Sequence, residues 1–350
     1  MITGFGSRLR AFGIAGAILI CVVACGPTAP SGGETVPSEL RLGYYANLTH
    51  AAALVGVKDG IFAQTLGSHT SLKTHVFNAG PDAVEALLSD SIDATYVGPN
   101  PAINAFIQSH GKAIRIISGA TSGGAALVVS PGIQSVSDLK GKTLASPQLG
   151  NTQDIALRWW LKGNGYQTTT TGGGDVKIMP QDNATTLQTF KAKQIDGAWV
   201  PEPWATRLVQ EGGGHVLVDE RSLWPGRQFV TTMLVVRTDF LNKYPTTVQH
   251  LLDGQMKATD FLLQNPSQAQ KDVNDAIAQI TSKKLGAGVV AAAWQNLTFT
   301  NDPIASSLKA SADHAYQLGL LKDKNLAGIY DIRLLNIILT AAGKPAVAVT

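Results

Sequence analysis

The stretch SPQLGNTQDIALRWWLK, residues 146–162, puts Gly150-Asn151-Thr152-Gln153 where a strand ends and an apolar helix begins. A helix start carries unpaired backbone N–H groups and a partial positive charge. Asn151 can cap that start, and Asp154 three residues on completes a capping-box pattern. The same small residues also leave the N–H groups open to an anion. The two readings differ in what they need nearby, because an anion site requires a cleft at the carboxyl end of the strand.

Little else in the chain offers chemistry. The 7 His show no H-x-x-x-H or related spacing, so no metal site and no cofactor is expected. There are 2 Cys, Cys21 and Cys25, both near the N-terminus, which leaves the body without a thiol nucleophile or a disulfide. No G-x-S-x-G, P-loop or paired catalytic carboxylates occur, and Thr171-Gly172-Gly173-Gly174 lacks the Lys and Ser/Thr that phosphate binding uses. With 28 Lys and Arg against 25 Asp and Glu, and no basic cluster, nucleic acid is not an expected partner.

The N-terminus reads as an export signal. Arg8 and Arg10 precede an uncharged run over residues 11–24, too short for a spanning helix. Val22-Val23-Ala24-Cys25 resembles the lipobox of bacterial lipoproteins, with Cys25 as the acylated residue; the plainer reading is a signal peptide with an incidental cysteine. The organisation expected is a signal peptide over 1–24 and a tethered linker over 25–38, rich in Pro, Gly and Ser. The membrane is then touched through the lipid anchor alone.

Short apolar or alternating runs over 40–45, 72–77, 93–98 and 113–118 are separated by helical stretches, which predicts a mainly parallel sheet covered on both faces. The rhythm restarts with strands over 142–146, 176–180 and 196–200. The restart repeats in detail. Ile92-Asp93-Ala94-Thr95-Tyr96-Val97 leads into Gly98-Pro99-Asn100-Pro101, and about a hundred residues later Ile195-Asp196-Gly197-Ala198-Trp199-Val200 leads into Pro201-Glu202-Pro203. Chance likeness between two βαβ units is the alternative. If the repeat is real, the fold is α/β with two similar lobes, 39–127 with 233–350 and 128–232, facing each other across a cleft. The runs 125–130 and 231–236 would be the two hinge strands, and the helical remainder should wrap lobe one.

The order of these pieces resembles the periplasmic-type solute-binding proteins of ABC importers, in the nitrate/sulfonate/taurine group. Gly43-Tyr44-Tyr45, Gly60-Ile61-Phe62, Gly98-Pro99-Asn100-Pro101, the segment Ser135-Val136-Ser137-Asp138-Leu139-Lys140-Gly141-Lys142, Gly150-Asn151-Thr152 and Asp196-Gly197-Ala198-Trp199 carry the likeness. It implies a monomeric, type II-like two-lobed receptor outside the cytoplasmic membrane, serving an ABC permease and its ATPase. The implied ligand is a small organic anion, an aliphatic sulfonate or taurine above all, with Asn151, Thr152 and Gln153 around the sulfonate oxygens. Nitrate, an aromatic sulfonate or a vitamin precursor remain open.

Further candidate ligand contacts are Tyr45, Asn47 and His50 after the first strand, Asn100 in the Pro-x-Pro loop, and Thr121 and Ser122 after the fourth strand. Trp199 and Trp224 can line the organic part of a ligand or lie in the core. Glu202 can receive the ammonium of taurine or point elsewhere. Enzymes of similar fold, in thiamine-pyrimidine synthesis and sulfinate desulfination, depend on cysteines that the body of this chain lacks. A tethered sensor domain is the remaining alternative, so the expected function is capture, not catalysis.

Overall fold

A computed structural model describes residues 36–349. The proposed signal peptide, Cys25 and most of the linker lie outside the described residues. No described helix is long and apolar enough to cross a membrane.

Two sheets organise the chain. Strands β1 (Glu39–Tyr44), β2 (Ser71–Val76), β3 (Ala94–Val97) and β4 (Ile114–Gly123) alternate with helices α1 (Ala51–Lys58), α2 (Ile61–Leu66), α3 (Gly80–Leu88) and α4 (Pro99–Gln108). The second sheet takes β5 (Ala125–Val129), β6 (Thr143–Ser146), β7 (Lys177–Pro180), β8 (Gly197–Pro201) and β9 (His215–Asp219), with α5 (Thr152–Gly163), α6 (Asn183–Lys191) and α7 (Trp204–Gln210) between them. The chain returns through β10 (Val230–Arg237). It ends in α8 (Thr238–Lys243), α9 (Pro245–Gln264), α10 (Pro266–Thr281), α11 (Ala287–Trp294), the short β11 (Leu297–Phe299), α12 (Ala305–Gln317) and α13 (Arg333–Ala341).

The strand orders are β2-β1-β3-β10-β4-β11 and β7-β6-β8-β5-β9. Place by place they correspond, and in each sheet the fourth place is held by the strand that has just arrived from the other half. Both arriving strands run antiparallel to their neighbours, β10 between β3 and β4 and β5 between β8 and β9. Each sheet is therefore a parallel set with one antiparallel insertion, and the first adds β11 antiparallel at its edge; the expectation of hinge strands did not contain these details. The outgoing passage between sheets falls at Gly123-Gly124, both at positive φ (77° and 74°), and the return runs over 220–229, so β5 and β10 each lie wholly within one sheet. The boundaries expected at 127/128 and 232/233 fall inside those two strands.

The repeated Ile-Asp has a structural cause. Asp93 accepts the Arg41 N–H of β1 at 2.9 Å, and Asp196 accepts the Thr143 N–H of β6 at 2.8 Å. Each aspartate also gives its own N–H to the carbonyl of the same residue, so each third strand is clamped to its central neighbour in the same way.

Both faces of each sheet are buried, as parallel sheets require. Along β5, Leu127 and Val129 enter one core while Ala126 and Val128 enter the other. Along β10, Leu234 and Val236 face one side and Met233 and Val235 the other. This two-residue alternation commits most side chains of the central strands to the cores. What remains for ligands is the loops at the carboxyl ends, where the two sheet-and-helix halves meet.

Candidate functional site

Those ends converge on one small chamber. Tyr45, Asn47, Thr49 and His50 follow β1, Asn78 follows β2, and Gly98 follows β3. From the other half come Pro147, Asn151, Thr152 and Gln153 after β6, Asn183 after β7, and Pro201 at the end of β8. Thr231 and Thr232, at the start of the antiparallel β10, complete the wall. The chamber encloses about 20 Å³ and opens into an outer one of about 400 Å³. Tyr45, Asn47, Asn78 and Asn183 belong to both.

Part of the inner chamber's polar lining is unsatisfied. Among the described residues, ten buried side-chain atoms have no hydrogen-bond partner, and four of them belong to lining residues: Tyr45 Oη, Thr152 Oγ1, Asn183 Oδ1 and Thr232 Oγ1. Leaving one such group unpaired costs about 1–3 kcal/mol. Four around a space this small make a site that is incomplete without an occupant.

α5 supplies the helix start. Asn151 Oδ1 accepts the Thr152 N–H at 2.8 Å, so the residue does cap the helix. Asp154, however, makes no capping box. Its carboxylate accepts Ser146 Oγ–H at 2.7 Å, the Gly150 N–H at 3.0 Å and the Arg158 Nε–H at 2.9 Å, and it is fully buried. The negative charge is thus held behind the helix start by a buried guanidinium, away from the chamber. Gly98 lets the halves meet: an ideal Cβ there would stand 2.4 Å from Thr152 Oγ1.

No lining residue of the inner chamber is charged at neutral pH. Burial depresses the His50 pKa to about 3, so the imidazole is neutral. Its Nδ1 accepts the Tyr45 N–H at 3.4 Å, which leaves the ring proton on Nε2 as a donor. Burial also raises the Tyr45 pKa, keeping the phenol protonated. Hydroxyls, amides and a helix start therefore provide the recognition here.

In the outer chamber, Trp204 Nε1–H donates to Asn47 Oδ1 across the halves at 2.9 Å, and the Arg207 guanidinium lies 4.6 Å from the Trp204 ring centre. Arg207 is itself paired with Glu211 at 2.8 Å.

Of the residues singled out in the sequence, Tyr45, Asn47, His50, Asn151, Thr152 and Gln153 line the chamber. Five others do not. Asn100 Nδ2–H donates to the Ser311 carbonyl at 3.2 Å, within the first half. Thr121 Oγ1–H donates to the Thr49 carbonyl at 2.7 Å, supporting the lining loop from behind, and Ser122 Oγ accepts the Phe229 N–H at 3.3 Å. Trp199 is buried in the core of the second half, its Nε1–H on Glu220 Oε2 at 2.7 Å. Glu202 accepts from Thr206 Oγ1–H at 2.9 Å and from Asn296 Nδ2–H at 2.7 Å, and it lines a separate cavity. Trp224 stacks on Phe229, likewise outside both chambers.

Sequence reasoning missed Thr49, Asn78, Asn183, Thr231, Thr232 and Trp204. The repeat held one usable signal, since Asn78 and Asn183 each follow the second strand of their half.

Two halves that meet over a polar chamber at their strands' carboxyl ends define the two-lobed periplasmic-binding-protein fold. Comparison with solved structures agrees. The alkanesulfonate-binding protein SsuA of Xanthomonas axonopodis pv. citri, solved bound to MOPS, superposes with a TM-score of 0.70 at 21% identity, covering 85% of this chain and 99% of that one. The NMT1-like family model matches residues 33–281, and the chain belongs to that family. A putative binding protein of Brucella abortus (strain 2308) is 28% identical over 197 residues, 56% of this chain and 59% of that protein. The taurine-binding periplasmic protein of Escherichia coli (strain K12) is 27% identical over 218 residues, 61% of this chain and 64% of that protein. The chain thus matches about three fifths of the length of these curated relatives.

Proposed function

We propose that the protein is the extracytoplasmic solute receptor of an ABC importer, closing its two lobes on a small organic anion, an aliphatic sulfonate or taurine first among them. The observation that carries this reading is the set of four unpartnered polar atoms around one interlobe chamber beside the start of α5. Three of the four are hydroxyls, which suit the oxygens of an anion without requiring a fixed cation. The names of the relatives, a taurine-binding protein and an alkanesulfonate-binding protein, support the same ligand class. An ammonium group, as in taurine, would find Asp182 in the outer chamber, the one acid that lines either space. The role is capture and delivery to a permease and its ATPase, not turnover, because the lining residues include no thiol and no paired carboxylates. Monomeric action and anchoring through acylated Cys25 belong to the same proposal.

Hydrogen bonds to a charged group are worth about 1.5–3 kcal/mol. Thr152→Val and Tyr45→Phe should each weaken binding of methanesulfonate or taurine by roughly tenfold or more, read by calorimetry. Unliganded stability should not fall in either variant, because each change removes a buried group that has no partner. Unchanged affinity in both would remove the inner chamber as the anion site.

A further inference from the structure

The two chambers differ in chemistry. The inner one presents hydroxyls, amides and an imidazole. The outer one sets Val76, Phe77, Leu187, Trp204, Ile277 and Leu285, drawn from both lobes, beside a polar margin that includes Asp182, Gln188, Arg207 and Lys283. Leu187 belongs to the core of the second lobe and Ile277 and Leu285 to that of the first, so the chamber cuts into the edges of both cores. Val76 stands 43% exposed at its rim. An open apolar recess of this kind is costly in water and marks a surface meant to be covered.

We infer that, among the organic anions proposed above, the ligand is one with an aromatic or branched apolar body rather than the short polar chain of taurine, seated in the outer chamber against Trp204 behind a head whose leading oxygen enters the inner one. The inference rests on the head-group reading proposed above. Size supports it first. At about 20 Å³ the inner chamber admits one water-sized group, a single oxygen of a sulfonate, so the rest of the head and everything behind it must extend outward. The outer chamber, at about 400 Å³, exceeds the roughly 150 Å³ in which an apolar cavity already takes a benzene ring. A nitrate, bicarbonate or methanesulfonate ion would leave these walls wet.

Construction supports it second. The Trp204 indole is fixed from both ends of the cleft, by Asn47 on the first lobe and by Arg207 on its own helix. Lobe closure therefore brings a held aromatic ring over the recess as the Nε1–H reaches Asn47. Polar head recognition and apolar body recognition become one event.

The test titrates methanesulfonate and benzenesulfonate into the whole protein by calorimetry. Benzenesulfonate should bind at least roughly tenfold tighter, since burying a ring removes its area from water. Trp204→Ala should close that gap, bringing the two ligands within about twofold of each other. Trp204→Phe keeps an apolar wall and loses only the bond to Asn47, so it should weaken both ligands alike and preserve the gap. Equal affinities in the parent, or a gap that survives Trp204→Ala, would overturn the inference. If neither sulfonate binds but neutral benzamide does, and Trp204→Ala abolishes it, the head-group reading fails and the apolar chamber stands. If none of the three binds, both fail.

Discussion

Gly98→Ala should weaken ligand binding by roughly tenfold to a hundredfold while leaving the unliganded protein folded. The backbone at Gly98 is ordinary, φ −73° and ψ 165°, so alanine adopts it without strain. The new methyl instead meets Thr152 Oγ1 of the opposite lobe at 2.4 Å, with the Thr231 carbonyl oxygen of its own half at 3.4 Å. Thr152 must then turn its hydroxyl out of the chamber, or the lobes must stop short of contact. Either outcome takes the Thr152 hydroxyl out of the chamber. The double variant Gly98→Ala/Thr152→Ala separates this from general damage. With the threonine side chain shortened, the added methyl should cost little beyond Thr152→Ala alone, a non-additivity expected of residues in contact. Additive losses in calorimetry would mean that Gly98 acts elsewhere.

The second large effect concerns stability. Asp154→Ala should cost about 3–5 kcal/mol, because it strips the partner from a guanidinium that is itself buried. Arg158 would keep only its bond to the Thr169 carbonyl. The same change releases Ser146 Oγ and the Gly150 N–H, the two contacts that fix the loop leading into α5. Affinity should therefore fall together with stability, unlike in Thr152→Val. Replacing both partners by apolar residues, Asp154→Leu with Arg158→Met, should recover much of the stability, since no charge is left buried alone. Denaturant unfolding of the unliganded variants reads both. A single Asp154→Ala that unfolds at the parent's midpoint would show that the pair does not hold the helix.

The contrast between these residues explains what the sequence could reveal. Asn151, Thr152 and Gln153 were legible because a helix start after a strand fixes where its first turn lies, whatever the tertiary packing. The two-lobed plan was legible too, since Ile-Asp followed by a Pro-x-Pro loop occurs twice and each Asp clamps the same pair of strands. Trp199 was misplaced because a strand residue points to one face or the other by register, and its face is the core that contains Leu127 and Leu161. Glu202 follows the same strand, yet its carboxylate turns back onto Thr206 of α7. Thr231 and Thr232 were missed because nothing local says that β10 inserts antiparallel between β3 and β4. That placement alone brings its first residues to the chamber. Contacts set by local chain geometry could be read, whereas those set by strand insertion could not.

The inner chamber is expected to receive the leading oxygen of an anion's head group. In a crystal structure of the protein with benzenesulfonate, a sulfonate oxygen should lie within about 3 Å of both Thr152 Oγ1 and Tyr45 Oη, with the ring directed outward to Trp204. Sulfonate bound at the outer rim, with those two hydroxyls still lacking a partner, would contradict it.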